Sequence, residues 1–463
     1  MSTDTSQPVA DPPAQAAAEP ATGESGGPPP APATTLWGHW DFNKLWFGQA
    51  MSAFGSQITT LALPLTAIIF LSATATQIGI MSALRELAFL GPMLFFGVLV
   101  DRMRRRPLMI GTDLARAAVL GLVPILAFLD SLTMMVLYVV AFLIGCLSVI
   151  FDLAYRSYLP SIVERDMLAS GNSRLQATDS LSEIAGPGLA GVLIQLMRAP
   201  YALVLNAVTF LISALTIFLV RKPEPPVERD PAEQGRGFRG VISDIGNGLR
   251  VTVRHPVLRA LAGNSATFNF FSMLMLTLFV LYATREFGIS PSALGVIFAC
   301  FGIGGLLGAM TLSMALKRFG YGRLLLMAYV LAVAPIMTMP LVDGSALLAS
   351  VLFGAIHFVV GYGIIATNIL EMTMRQVLVP QKILGRVNAS FRFLIGGLVP
   401  VSAFLAGILG DAIGLRETLI VTAVGIPLSL VWLVYSPIPS LRSIDDIKEL
   451  APTDAGPEPE RAS

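Results

Sequence analysis

Charge is what this chain has least of. Only 13% of its 463 residues are Asp, Glu, Lys or Arg, against roughly 25% in a soluble globular protein. By contrast 54% are hydrophobic, and the mean hydropathy is +0.71. Such a chain cannot cover a water-facing surface, so a soluble fold is excluded and an integral membrane protein is expected. Cysteine is almost as scarce: Cys146 and Cys300 both fall inside apolar runs, which points away from a disulfide framework and from a metal site. Of the three histidines only His357 lies within an apolar run. No Gly-x-x-x-x-Gly-Lys-[Ser/Thr] loop occurs, so the chain is not expected to hydrolyse ATP. An enzyme activity, a cofactor and a nucleic-acid partner are likewise not expected. Residues 1–36 contain no Lys or Arg and are rich in Pro, Ala, Gly and Ser. They lack the basic start and apolar core of a signal peptide and read as a disordered tail. Period-2 alternation is weak, which argues against a barrel.

What is present is about twelve apolar runs of at least 20 residues, the length an α-helix needs to cross roughly 30 Å of hydrocarbon. They are drawn at 45–71, 76–100, 107–129, 132–154, 174–196, 200–220, 260–283, 292–315, 322–341, 346–369, 389–410 and 417–436. An even number of spans puts both termini on one side. Of the 31 Lys and Arg, about 26 fall on that side, Arg85 and Arg116 fall within spans, and only Arg198, Arg285 and Arg416 fall opposite. Short loops rich in Lys and Arg face the cytoplasm, so both termini are expected there, in the plasma membrane. The longest polar stretch between spans divides the chain. This gives a tail at 1–36, a six-helix half at 37–220, a cytoplasmic linker at 221–259, a second half at 260–437 and a tail at 438–463. Pro223, Pro226 and Pro231 open the linker, and Val241 to Val253 reads as an amphipathic helix lying on the membrane surface. The halves echo each other: Arg156-Ser-Tyr-Leu-Pro160 recurs as Arg375-Gln-Val-Leu-Val-Pro380, each followed by an Asn (Asn172, Asn388).

The loop after the second span reads Gly97-Val-Leu-Val-Asp101-Arg102-Met-Arg104-Arg105-Arg106-Pro107. It resembles the signature loop of the major facilitator superfamily, except that Arg104 stands where that family usually has glycine. Lys317-Arg-Phe-Gly-Tyr-Gly-Arg323 is the degenerate copy in the second half, without the acid. Gly186-Pro187-Gly-Leu-Ala-Gly191 in the fifth span resembles the Gly-Pro-x-x-Gly motif of the superfamily's exporters. Together with Asp113-Leu-Ala-Arg116-Ala, Arg375 to Pro380 and Gly385-Arg-Val387, it is similar to the branch holding the enterobactin exporter and the macrolide-efflux permeases. The resemblance implies an all-α membrane protein of twelve helices in two parallel six-helix repeats. It implies that Asp101 meets the amino end of the eleventh span to hold an inner gate, with Gly97, Arg102, Arg105 and Arg106 around it. It also points to spans 1, 4, 7 and 10 as the cavity walls. From those spans Gln49, Ser52, Gln57, Asn264, Phe268 and Asn269 are the lining candidates, although Phe and Met also face lipid at no cost.

Ionisable groups inside a bilayer cost about 2.5–3.5 kcal/mol each and rarely persist without a partner or a job. Glu183 lies near the midplane of the fifth span with Asp179 one turn away on the same face, either as proton carriers or as acids that hold helices together. Arg85 and Glu86 are neighbours whose directions differ by about 100°, so each is expected to find its partner elsewhere. For Arg85 that partner is Glu183, Asp179 or an anionic substrate. Glu86 and His357 are further proton-coupling candidates, with Arg85 beside them, and His357 is alternatively a hydrogen-bonded core histidine. Asp152 is placed to receive Arg105, and Asp113 to pair with Arg116 at i, i+3; with Asp101 these groups read as a gate, or else as solvated charges with no switching role. The function expected is a monomeric, proton-coupled exporter of small amphipathic organic compounds such as drugs, siderophores or secondary metabolites. The alternatives are an importer or facilitator of a small nutrient, and a receptor or lipid-handling protein that transports nothing.

Overall fold

In hydrocarbon every backbone N–H and C=O must be satisfied within its own segment or a closed barrel, so long apolar runs become helices. The computed structural model describes residues 38–164, 167–222, 224 and 238–450, without the side chains of 89–102 and 238–242. The expected tail at 1–36, residues 451–463 of the tail expected at 438–463, and linker residues 223 and 225–237 lie outside the described residues. The first six long helices are α1 (Trp40–Leu65), α2 (Ala75–Arg102), α3 (Arg105–Phe128), α4 (Met134–Ile162), α5 (Leu168–Met197) and α6 (Ala199–Phe218). Next comes α7 (Phe238–Arg254), then α8 (Pro256–Phe287), α9 (Pro291–Phe319), α10 (Tyr321–Thr338), α11 (Ala346–Leu378) and α12 (Gln381–Ala412). The chain ends in α13 (Leu415–Gly425), α14 (Leu428–Val434) and α15 (Ile444–Glu449). Among the described residues there is no strand, and 11 helical runs are long and apolar enough to cross a membrane, α13 and α14 together making one of them. With the 28 residues of α2, these are the twelve helices of an all-α membrane fold.

Several elements differ from the expected spans: α4 runs on to Ile162 where the fourth span was drawn to 154, α5 starts at Leu168 rather than 174, and α12 starts at Gln381 rather than 389. The tenth span was drawn to residue 369, but α11 continues to Leu378, because a helix is not obliged to stop where its hydropathy falls. The twelfth breaks near Pro427 into α13 and α14, where the missing N–H interrupts the ladder.

Within the first group α1 packs on α5 and α6, α3 on α4 and α6, and α2 on α4. Within the second, α11 packs on α9 and α10, and α8 on α12, α13 and α14. The groups meet along α2 with α12 and α5 with α9. Both seams are tightest at the end where α2 starts and α5 finishes. A Cβ on Gly79 would stand 2.7 Å from the Cα of Gly407, and one on Gly191 3.0 Å from the Cα of Gly295. Only glycine permits backbones this close. Arg285 adds a hydrogen bond of 2.6 Å to the Ala73 carbonyl at the same end. Among the described residues no hydrogen bond or ion pair joins the two groups at the opposite end. The bonded end is the closed one; towards the other end Asp152, Arg156, Asn172 and Gln176 stand exposed along α4 and α5, the wall of a cleft.

Candidate functional site

The cleft has a polar wall because α5 is two-faced. Leu181, Leu189, Val192 and Leu196 are exposed and apolar, a face suited to lipid. Roughly opposite, at 100° per residue, Asn172, Gln176, Asp179 and Glu183 repeat at i, i+4, i+7 and i+11. A third face packs on α1, where Gly186 meets Gln57 and Thr178 accepts a hydrogen bond from Trp46 Nε1. A fourth packs on α9 through Pro187, Gly191 and Ile184. The polar stripe thus lies between two packed faces and away from lipid, in the cleft. Glu183 is exposed, Asp179 is half-buried, and Glu183 sits at the middle of α5. From α4, Asp152 and Arg156 are exposed on the same wall, and their charges interact with that of Asp179. Three acids and one base give the wall an excess of negative charge.

The sequence motif in α5 serves two contacts. Gly186 lets α1 approach within the first group, whereas Pro187 and Gly191 form the closed seam with Gly295 of α9. A Cβ on Gly302 would press on Ile184 and the Glu183 carbonyl, so this seam reaches the turn that carries Glu183.

Several expectations are corrected. Arg85 and Glu86 pair with each other, Nε to Oε1 at 3.3 Å; both side chains are long enough to close the angle that separates their Cβ atoms, and Arg85 meets neither Asp179 nor Glu183. Arg105 does not reach Asp152. Instead the Arg105 and Arg106 amides donate to the Glu224 carboxylate at 2.7 and 3.3 Å, because the free N–H groups opening α3 attract an anion. The Arg106 guanidinium caps the end of α6 through the Ile217 and Phe218 carbonyls. Asp113 and Arg116 do pair, but fully inside the first group rather than at a gate. There the Arg116 guanidinium lies 4.3 Å from the Phe151 ring centre and 4.1 Å from that of Phe210. His357 is buried against Phe279 and Phe298, its Nδ1 held by the Phe353 carbonyl of its own helix at 2.8 Å. It sits as a core histidine among the aromatic rings of the second group. Ser52, Asn264 and Phe268 are buried and line no open cleft; with both faces of their helices apolar, the sequence does not reveal the rotation. Gln49, Gln57 and Asn269 are half-buried, and Asn269 donates to the Ser265 carbonyl. The side chains of Gly97, Asp101 and Arg102 lie outside the described residues; the backbone places all three in the last two turns of α2.

Two acids that sequence reasoning passed over stand out. Asp411, in the last turn of α12, accepts the amides of Ala75 and Thr76, the first two residues of α2, at 2.9 and 2.8 Å. These are orphan donors of a helix start, and the carboxylate that takes them comes from the other six-helix group. Glu371 of α11 is buried and accepts from Ser265 of α8 and Tyr329 of α10. Its signal was the spacing Glu371 to Arg375, one helical turn, just beyond the drawn end of the span.

A family model for the Major Facilitator Superfamily matches residues 45–403. The chain is 29% identical over 411 residues to the multidrug efflux pump Tap of Mycolicibacterium fortuitum, covering 86% of this chain and 96% of the relative. It is 25% identical over 419 residues to macrolide efflux protein A of Streptococcus pyogenes, covering 87% and 97%. Among solved structures, a bacterial homologue of the iron transporter ferroportin in its inward-facing state superposes with a TM-score of 0.67 at 15% identity, over 85% of this chain and 98% of that one. The nucleoside transporter NupG gives 0.65 at 14%, over 85% and 97%. At such identities the structural likeness speaks to the fold alone.

Proposed function

The chain belongs to the major facilitator superfamily and is a membrane transporter, and from that premise we propose that it exports small amphipathic organic compounds in exchange for protons. Efflux proteins are its relatives over nearly the whole length of both chains. The observation that carries the coupling is the stripe Asn172, Gln176, Asp179 and Glu183, a polar face that runs from near the start of α5 to Glu183 at its middle, where it adjoins the seam that must part. The arginine-rich side is the cytoplasm, in the plasma membrane, so the cleft is the inward-facing cavity and the glycine seams close the outside. Residues 37–220 and 260–437 then move as two halves joined by the 221–259 linker.

In this reading Glu183 is charged when substrate enters from the cytoplasm and loses the substrate when a proton arrives from outside. A carboxylate that both ligands need, but not together, exchanges one for the other. The excess of acid on the wall favours substrates that carry a positive charge. The test is a pair of assays on purified protein in liposomes. Substrate should drive proton release from wild-type vesicles. Glu183→Gln should abolish accumulation against a gradient while downhill exchange of substrate survives. Uphill transport with an unchanged pH dependence in Glu183→Gln would place the carrier elsewhere.

A further inference from the structure

We propose that Glu371 is a second proton-holding site, built into the opposite half from Glu183, so that each half carries one exchangeable proton. The inference deepens the coupling reading above and rests on it. Glu371 is 6% exposed, and its partners come from two further helices of the second half. Tyr329 of α10 donates to Oε1 at 2.5 Å, and the Ser265 hydroxyl of α8 sits 2.9 Å from Oε2 and 3.1 Å from Oε1. Beside them Asn264 is 0% exposed, its amide close enough to act on both Glu371 and Tyr329. A buried acid ringed by a serine hydroxyl, a phenol and an amide has hydrogen-bonding capacity for more than one state.

That capacity suits a proton. A charged carboxylate needs donors, and both hydroxyls supply them. A protonated one needs an acceptor, and the Ser265 oxygen or the Asn264 amide oxygen can become it, since a hydroxyl both donates and accepts. The surroundings therefore serve either state, where an apolar pocket would tolerate only one. The charges around the site are few. On its own helix Arg375 lies one turn on, held over the Phe391 ring of α12 at 4.7 Å and close enough for its charge to act on Glu371. Tyr329 is the titratable group facing it from α10, and α8 presents only the neutral Ser265 and Asn264. Lys317 and Arg318 at the end of α9, and Asp445, Asp446, Lys448 and Glu449 on α15, make no bond to it. Uptake of a proton thus weakens the pull of Glu371 on Arg375, at the point where α8, α10, α11 and α12 come together. That change of balance gives the second half a reason to reorganise when the proton binds.

The experiment is infrared difference spectroscopy on the full-length protein in lipid, titrated with pH in potassium and then in sodium buffer. The expected result is a carboxylic-acid carbonyl band that grows as pH falls, is missing from Glu371→Gln, persists in Glu183→Gln and is displaced along the pH axis in Tyr329→Phe. Tyr329→Phe keeps the carboxylate and so stands in if Glu371→Gln does not fold. A spectrum identical in Glu371→Gln and wild type, a band of constant size at every pH, or an unmoved profile in Tyr329→Phe would overturn the proposal. A profile that follows sodium would also overturn it, making the site one for a metal cation. Because the band of Glu371 is read apart from transport, failure of the Glu183 reading in liposomes would be seen separately.

Discussion

If Asp411 latches the closed end, removing it should let that end open. Its carboxylate accepts the first two amides of α2 at 2.9 and 2.8 Å from the other half of the molecule. A hydrogen bond to an ionised group contributes about 1.5–3 kcal/mol where protein shields it. Asp411 is exposed, and a charge at an exposed helix start contributes only about 0.3–1 kcal/mol. After that discount for solvent, Asp411→Asn, which keeps one acceptor and loses the charge, should cost the closed state about 1 kcal/mol. Asp411→Ala, which loses both bonds, should cost about 2 kcal/mol. One to two kcal/mol is a factor of about 5–30 between two states, enough to populate an alternative that was minor. The assay is a distance distribution between spin labels at Ser131 and Asp343, exposed loop positions at the closed end of each half. A longer-distance population should grow from wild type to Asn to Ala. Asn is as good a helix cap as Asp, so its effect reports the charge and not a frayed α2. Unchanged distributions in both variants would refute the latch.

Gly295→Val should push in the same direction and further, because its Cβ would stand 2.4 Å from the Pro187 carbonyl and 3.0 Å from the Gly191 Cα; cysteine cross-linking across the α5–α9 seam should be lost. Asp101→Asn should act oppositely, shortening the Ser131 to Asp343 distances by weakening the other gate and cutting transport at normal expression. Arg116→Met should leave Asp113 charged and buried without its partner, a loss of about 3–5 kcal/mol visible as a lowered melting temperature. Adding Asp113→Leu should recover most of it.

The membrane fold was legible because the bilayer makes length and apolarity nearly sufficient: a run of 20 apolar residues has few alternatives. The face shared by Asp179 and Glu183 was legible for the same reason, since a helix fixes which residues align. What could not be read was contact between helices. Asp411 looks like any acid where a span meets water, and nothing in Gly410-Asp-Ala-Ile413 names the start of α2 as its partner. Glu371 was lost to a boundary drawn by hydropathy, which drops at a buried acid whether or not the helix ends there. Arg85 and Glu86 were misjudged from the directions of their Cβ atoms, although six or more rotatable bonds lie between the two charges. Asn264 and Phe268 stand on a helix rich in Phe and Met on several faces, so no amphipathic pattern told inside from cavity.

α2 and α12 run antiparallel, since the start of one meets the last turn of the other. Each ends in an aspartate, Asp101 in α2 and Asp411 in α12. At 1.5 Å per residue the 28 residues of α2 hold its two ends about 40 Å apart. Two rigid rods of that length cannot keep both ends in contact while a cleft opens at one of them. In the alternating reading proposed above, Asp411 seated on Ala75 and Thr76 corresponds to the state in which Asp101 has left the start of α12. A rocking motion that seats Asp101 must unseat Asp411. Each carboxylate then stabilises one conformation by a similar small amount, and neither locks it. A transporter needs that balance, because a proton or a substrate at Glu183 can tip two states only when they lie within a few kcal/mol of each other.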